Sequence, residues 1–285
     1  MKSRCGASWA KCVLIALFIA GTSCPVYGDT MVATYSTATS QTPNTTALCA
    51  GTTGCWVGMQ TFDSWNTGNA PTSTWAFPTL VSSGTVSGST ISGTITGTFS
   101  GNGPVITTAN EYGGAGGTGN FADVSDGKSY TLTLGVTGNV PGVNYFGLWF
   151  SALDNGNDLK FYDGSTLVLD FTPALYQQLV GACPNAFCGN PNPNMTTKGV
   201  PDDSTEQFAF LNFFDETGYI TSIKFTETTS AGFESDNFTT AYQDPSNPNG
   251  TVITNAPEPG SFVLLLSGLL VLAGLIRYPA LKAQR

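Results

Sequence analysis

The 285-residue chain reads as all-β: an antiparallel β-sandwich of jelly-roll type, set between an N-terminal signal peptide and a C-terminal transmembrane helix. Three observations predict this. Apolar residues alternate with Thr and Ser at period two in several segments. Clusters of Gly, Asn, Asp and Pro interrupt the chain every ~8 to 12 residues. Outside the two ends, a single short segment carries a helical signature.

Composition narrows function before any motif is read. The chain has no histidine, which excludes a Ser-His-Asp triad, a Cys-His pair and His-ligated zinc or haem. Charged residues are 10% of the chain, against about 25% in an average domain, so Thr, Ser, Asn and Gly supply the polar surface. Between Asp29 and Ala256 the bases are Lys128, Lys160, Lys198 and Lys224, against eighteen acidic residues, a net formal charge of −14. Such a body repels nucleic-acid phosphates and anionic headgroups; its expected partners are neutral polymers, cations or other proteins.

In chain order, Lys2, Arg4 and Lys11 precede the apolar run Cys12 to Ala20, and Val26 and Gly28 suit a cleavage before Asp29, so residues 1–28 read as a signal peptide. A cut before Cys24 would make a lipoprotein, but Gly21-Thr22-Ser23 lacks the Leu such signals place three residues upstream. Asp29 to Pro78 shows no clear period and reads as extended strands and loops. From Ile91 to Phe99, Ile91, Gly93, Ile95, Gly97 and Phe99 fall on one face and Ser92, Thr94, Thr96 and Thr98 on the other. The glycines leave gaps on the apolar face for a neighbouring side chain. Tyr112 to Asn120 (YGGAGGTGN) is expected to be a flexible loop. It does not cradle phosphate, because neither a helix nor a cation follows it.

Lys128 to Thr137 alternates cleanly, and Val143 to Ala152 is apolar on both faces, as in a central strand covered on both sides. The Asp154–Asp158 turn, Leu159 to Asp163, the Asp163-Gly164 turn and Ser165 to Phe171 form a predicted meander. Thr172 and Pro173 suit N-cap and first position of a short helix through Val180, stopped by Gly181. Strands resume at Glu206 to Phe214, Tyr219 to Glu227 and Phe233 to Tyr242, giving seven to ten strands in an ectodomain over 29–243, with a linker at 244–256. Ser261 to Ile276 has 16 residues without charge and is followed by Arg277, Lys282 and Arg285. At about 1.5 Å per residue it spans about 24 Å, a minimal crossing of a ~30 Å hydrocarbon core, with the basic tail on the cytoplasmic side.

Cys5, Cys12 and Cys24 lie in the leader. The remaining four form two close pairs, so Cys49–Cys55 and Cys183–Cys188 disulfides are predicted, in an oxidising compartment. Their spacings fit a zinc knuckle poorly. Asp154, Asn155, Asn157 and Asp158, with Asp163, are a candidate calcium site, since calcium takes six to eight hard oxygen ligands; the same residues also suit an ordinary hairpin turn. Glu234 and Asp236 share a strand face, as paired carboxylates of glycan-cleaving enzymes do, but the third carboxylate of that pattern would fall on Thr239. Trp56, Trp65 and Trp75 are candidate sugar platforms, whereas Trp149 belongs to a predicted core strand.

The triplet Pro257-Glu258-Pro259, the apolar helix after it and the terminal basic residues together resemble the PEP-CTERM sorting signal (257–285), which exosortase-type membrane enzymes process in Gram-negative bacteria. Three further stretches resemble an ectodomain of exosortase-dependent surface proteins: Tyr145-Phe146-Gly147-Leu148-Trp149-Phe150-Ser151-Ala152, Leu159-Lys160-Phe161-Tyr162-Asp163-Gly164 and Gly232-Phe233-Glu234-Ser235-Asp236-Asn237. The resemblance implies an exported, non-enzymatic surface or matrix protein of an exopolysaccharide producer, with exosortase and exopolysaccharide as partners and no catalytic residues. The alternatives are a carbohydrate-binding module and a glycan-cleaving enzyme.

Overall fold

The computed structural model describes residues 31–125, 127–189, 206–229, 231–243 and 251–252. The predicted signal peptide, the Pro257-Glu258-Pro259 triplet and the 261–276 span lie outside these residues. Among the described residues no helix is long and apolar enough to cross a membrane.

The chain forms β1 (Met31–Tyr35), α1 (Thr45–Leu48), β2 (Gly54–Gln60), β3 (Gly68–Asn69), β4 (Trp75–Ala76), β5 (Thr79–Val86), β6 (Ser89–Thr90), β7 (Ile95–Gly101), β8 (Val105–Thr108) and β9 (Asn120–Asp123). It continues with β10 (Ser129–Val136), β11 (Tyr145–Phe150), β12 (Asn157–Asp163), β13 (Thr166–Phe171), α2 (Pro173–Val180), β14 (Ala209–Asp215), β15 (Ser222–Glu227), β16 (Glu234–Gln243) and β17 (Thr251–Val252). The strands make two antiparallel sheets packed as a sandwich. The larger has eleven strands in the order β17-β1-β14-β11-β16-β2-β5-β6, with β9, β8 and β3 branching from β16; the smaller has six, β13-β12-β15-β10-β7-β4.

The two periodicities read from the sequence take their places in this frame. In β11 all six residues are buried. Phe146, Leu148 and Phe150 enter the core between the sheets, while Tyr145 and Trp149 enter smaller clusters on the outer face of the larger sheet. Aromatic rings close the inter-sheet space: Phe238 of the larger sheet stacks on Phe225 of the smaller at 5.1 Å, and Phe225 on Tyr130 at 4.6 Å.

In β7, Ile95, Gly97 and Phe99 are buried with Thr96 and Thr98 between them half-exposed. The gap above Gly97 is filled by Trp75, whose ring would lie 2.5 Å from a Cβ there. The alternation stops at Gly93, where the backbone takes a φ of 126° and leaves the strand. α2 runs over its predicted residues, Thr172 Oγ1 accepting from Leu175 N and Gly181 closing the C-terminus. The one-turn α1 was not expected; Asn44 caps it by accepting from Ala47 N at 3.0 Å. Both disulfides join the predicted partners: Cys49–Cys55 ties the end of α1 to β2, and Cys183–Cys188 closes the loop after α2.

Candidate functional site

The larger sheet forks at β16. β11 runs along one edge of that strand, whereas the other edge is divided: β9 pairs with Glu234 and Ser235, β2 pairs with Phe238 to Gln243, and Asp236 and Asn237 fall in the gap. At the same place the register against β11 shifts, and Asn237 takes a φ of 51°. This is a β-bulge, with its extra residue in a left-handed conformation that Asn tolerates better than most side chains. Phe233 and Phe238 both enter the inter-sheet core although they lie five positions apart, an odd offset that a regular strand forbids. The bulge absorbs the odd residue and brings both Asp236 and Asn237 to the outer face.

A cavity of about 740 Å³ opens there. Its floor is the fork, its walls are the strap Ala38–Thr42, Asp63 just beyond β2, and Phe208, and its roof is the Ala115-Gly116 turn. The roof is held from below. Asp236 Oδ2 accepts from Ala115 N at 2.8 Å and Oδ1 from Asn237 N at 2.6 Å; Asn237 Nδ2 donates to Gln41 O at 2.7 Å, and Gln41 Oε1 accepts from Gly116 N. Asp63 Oδ1 accepts from Asn120 N at 2.9 Å, closing the gap between β2 and β9. The glycine-rich segment expected to be a flexible loop is therefore pinned, and glycine's access to left-handed backbone explains its composition: Gly114, Gly116 and Gly117 all have positive φ.

Two buried carboxyls lie on this face of β16, Asp236 lining the cleft and Glu234 two residues before it. Burial pushes the Asp236 carboxyl up to about 8, with the Asp63 charge adding to the effect against the two N–H donors that lower it. Glu234, two residues along the same face, is also pushed up to about 8 by burial, then by Asp123, which faces it directly across the β9–β16 pair. Glu234 Oε2 is buried without a hydrogen-bond partner. The cleft thus offers a hydrogen-bonding lining of hydroxyls, amides and carboxyls beside a small apolar wall, and among the described residues no Lys or Arg lines it.

The sequence-predicted site residues are distributed differently. Asn157 is buried, donating through Nδ2 to Glu227 Oε2 at 2.6 Å and Gly232 O at 2.9 Å, while its Oδ1 accepts from Asp154 N at 2.6 Å. Asp158 pairs instead with Lys160 at 2.7 Å, and Lys160 with Asp170 at 2.6 Å; Asn155 is exposed. The candidate calcium set is thereby split between turn closure and an ion-pair chain. Among the described residues no group of three or more His, Cys, Asp or Glu side chains is placed to hold a metal ion.

Trp56 is fully buried in the main core, so it offers no sugar platform. Trp65 and Trp75 are half-buried and meet each other edge-on at 5.2 Å within a cluster with Phe62, Phe77 and Phe99. Trp149 is core, as expected, and lies opposite Asp236. Sequence reasoning found Asp236 but missed Asp63, Gln41 and the glycine turn, which reach the cleft from distant parts of the chain. The five-residue spacing of Phe233 and Phe238 was the available signal for the bulge. No protein-family model, curated protein or solved structure matches the chain.

Proposed function

We propose that this chain is an exported, non-enzymatic β-sandwich protein of the cell surface or extracellular matrix of a Gram-negative bacterium, and that its outer-face cleft binds a neutral saccharide of the exopolysaccharide. In this reading residues 1–28 direct export, the 261–276 helix holds the protein in the inner membrane, and an exosortase processes it at Pro257-Glu258-Pro259. The observation that carries the binding step is the lining of the cleft. Amides and hydroxyls of Thr39, Gln41, Thr42 and Asn237 stand beside Asp63 and the ring of Phe208, with no Lys or Arg among the described residues that line the cleft, a set that suits an uncharged, polyhydroxylated ligand and disfavours a phosphorylated one. The chain's net charge adds the same bias.

A glycan array probed with residues 29–256, which keep the β17 edge strand, tests this. Binding to one or more neutral glycans is expected, weakened about tenfold or more by Thr42→Trp, which fills the cleft from an exposed position and excludes the ligand; tenfold corresponds to about 1.4 kcal/mol of lost contact. Binding that Thr42→Trp leaves unchanged would remove the cleft from the account. One observation favours a second reading. Asp63 and Asp236 line the same cleft, and a carboxyl raised by burial beside a second acid is one requirement of a glycan-cleaving site. Release of reducing ends from a bound glycan, lost in Asp236→Asn, would replace binding by hydrolysis.

A further inference from the structure

A second cavity, of about 440 Å³, lies where β3, β8 and β9 meet the ends of β7 and β10, lined among others by Asn69, Asn102, Asp123, Ser125 and Lys128. Strand register ties it to the cleft. Glu234, Asp123, Val105 and Asn69 stand directly opposite one another across β16, β9, β8 and β3, so they form one row on one face. Asp123, Val105 and Asn69 line the second cavity. Two residues along β16 from Glu234, on the same face, Asp236 lines the first.

The separation can be measured along two independent paths. From Asn120, whose N–H is held by Asp63 in the cleft, to Asp123 is three residues of strand, about 10 Å. From Asp236 to Glu234 and across one strand to Asp123 is about 8 Å. Both exceed one sugar ring, and the second cavity, like the first, presents amide, hydroxyl and carboxyl groups over apolar residues, here Ala70 and Val105, with Lys128 and Asp123 adding one charge of each sign.

We infer that the two cavities are contact zones of one extended groove, which takes several consecutive units of a neutral polysaccharide chain. The inference rests on the saccharide reading of the cleft and adds the polymeric nature of the ligand. Two linked contact zones make the second contact intramolecular, so affinity rises steeply once a chain is long enough to reach both.

The test is a calorimetric series with chain-length ladders, disaccharide to octasaccharide, of neutral glucan, mannan and galactan. The expected result is a jump in affinity of about tenfold or more between chains that reach one cavity and chains that reach both. Asn102→Ala combined with Ser125→Ala, which removes surface groups of the second cavity, should abolish the jump and leave the short chains bound as before. Equal thermal midpoints of variant and parent confirm that the fold is intact. A flat length dependence with short chains still bound would overturn the extended groove and leave the single cleft standing. Absence of binding to every ladder would overturn the saccharide reading and this inference together.

Discussion

At the residue scale the most informative groups are the two buried carboxyls of β16, Glu234 and Asp236. Glu234 and Asp236 both titrate near 8 in the folded chain, far above the ordinary carboxylate range they adopt when unfolded. Between about pH 4 and pH 8 the folded protein therefore holds protons that the unfolded chain has released, and stability falls as pH rises through that window. The thermal midpoint near pH 5 is expected to exceed that near pH 8 by several degrees, measured by calorimetry. The groups facing these carboxyls are Asp123, Asp154 and Glu206 around Glu234, and Asp63 around Asp236. Glu234→Gln removes one of two like charges set opposite each other, so it should raise the midpoint at pH 8 and flatten the profile. A profile unchanged in both Glu234→Gln and Asp236→Asn would show that neither group titrates in this window.

Gly97 makes a second residue-scale case. Its missing side chain is the space that the Trp75 ring occupies, so the contact between β4 and β7 depends on a hydrogen atom. Gly97→Val forces Trp75 out of the Phe77 and Phe99 cluster and is expected to cost about 1 to 3 kcal/mol in a denaturant titration. The opposite-face change Thr98→Val, at a half-exposed position, should stay within about 0.5 kcal/mol.

At the scale of elements, α1 and the Cys49–Cys55 disulfide act as a clamp on the outer face, whereas α2 sends Tyr176 and Val180 into the core between the sheets. α1 packs Leu48 beside Val57, Tyr145 and Ala241, and Cys49–Cys55 fastens it to β2. In the chain-entropy account a loop closed over six residues contributes about 2 kcal/mol. Replacing both cysteines by Ser should lower stability by about that amount and leave the secondary structure by circular dichroism unchanged. A larger loss, with the strand signal gone, would make the bridge a condition of folding. The Asp154–Asp158 turn illustrates how one composition serves two purposes. Asn157 spends its whole amide on Glu227, Gly232 and Asp154, which is turn closure, the alternative use of Asp and Asn that the sequence left open.

At the scale of the whole molecule, the sandwich presents two unlike outer faces. The smaller sheet turns the hydroxyls of Thr96, Thr98, Thr131 and Thr133 away from the core, while the larger sheet is overlaid by α1 and by the strap and glycine turn that line the cleft. Intact mass and fractionation from the native host should give a species beginning near Asp29 and ending near Pro257-Glu258-Pro259, outside the inner membrane when the exosortase is present and not when it is deleted. A full-length C-terminal helix in the inner membrane in both strains would make the protein a tail-anchored periplasmic one instead.

The sequence by itself determined what depends on neighbours along the chain. Period-two alternation set β7 and β10, the doubly apolar run set β11 as a central strand, Thr172-Pro173 and Gly181 bounded α2, and close spacing paired the cysteines. Each of these is encoded within about ten residues, where steric and hydrogen-bonding preferences act directly. Only the tertiary structure decided the cleft. Its parts come from residues 38–42, 63, 115–116, 208 and 236–237, and what unites them is the division of one strand edge between β2 and β9, a long-range pairing that no local pattern encodes. The same holds for Trp56: a Trp in an aperiodic segment is indistinguishable from a surface platform until the sheet closes over it, and burial is decided by the partner strand rather than by the residue.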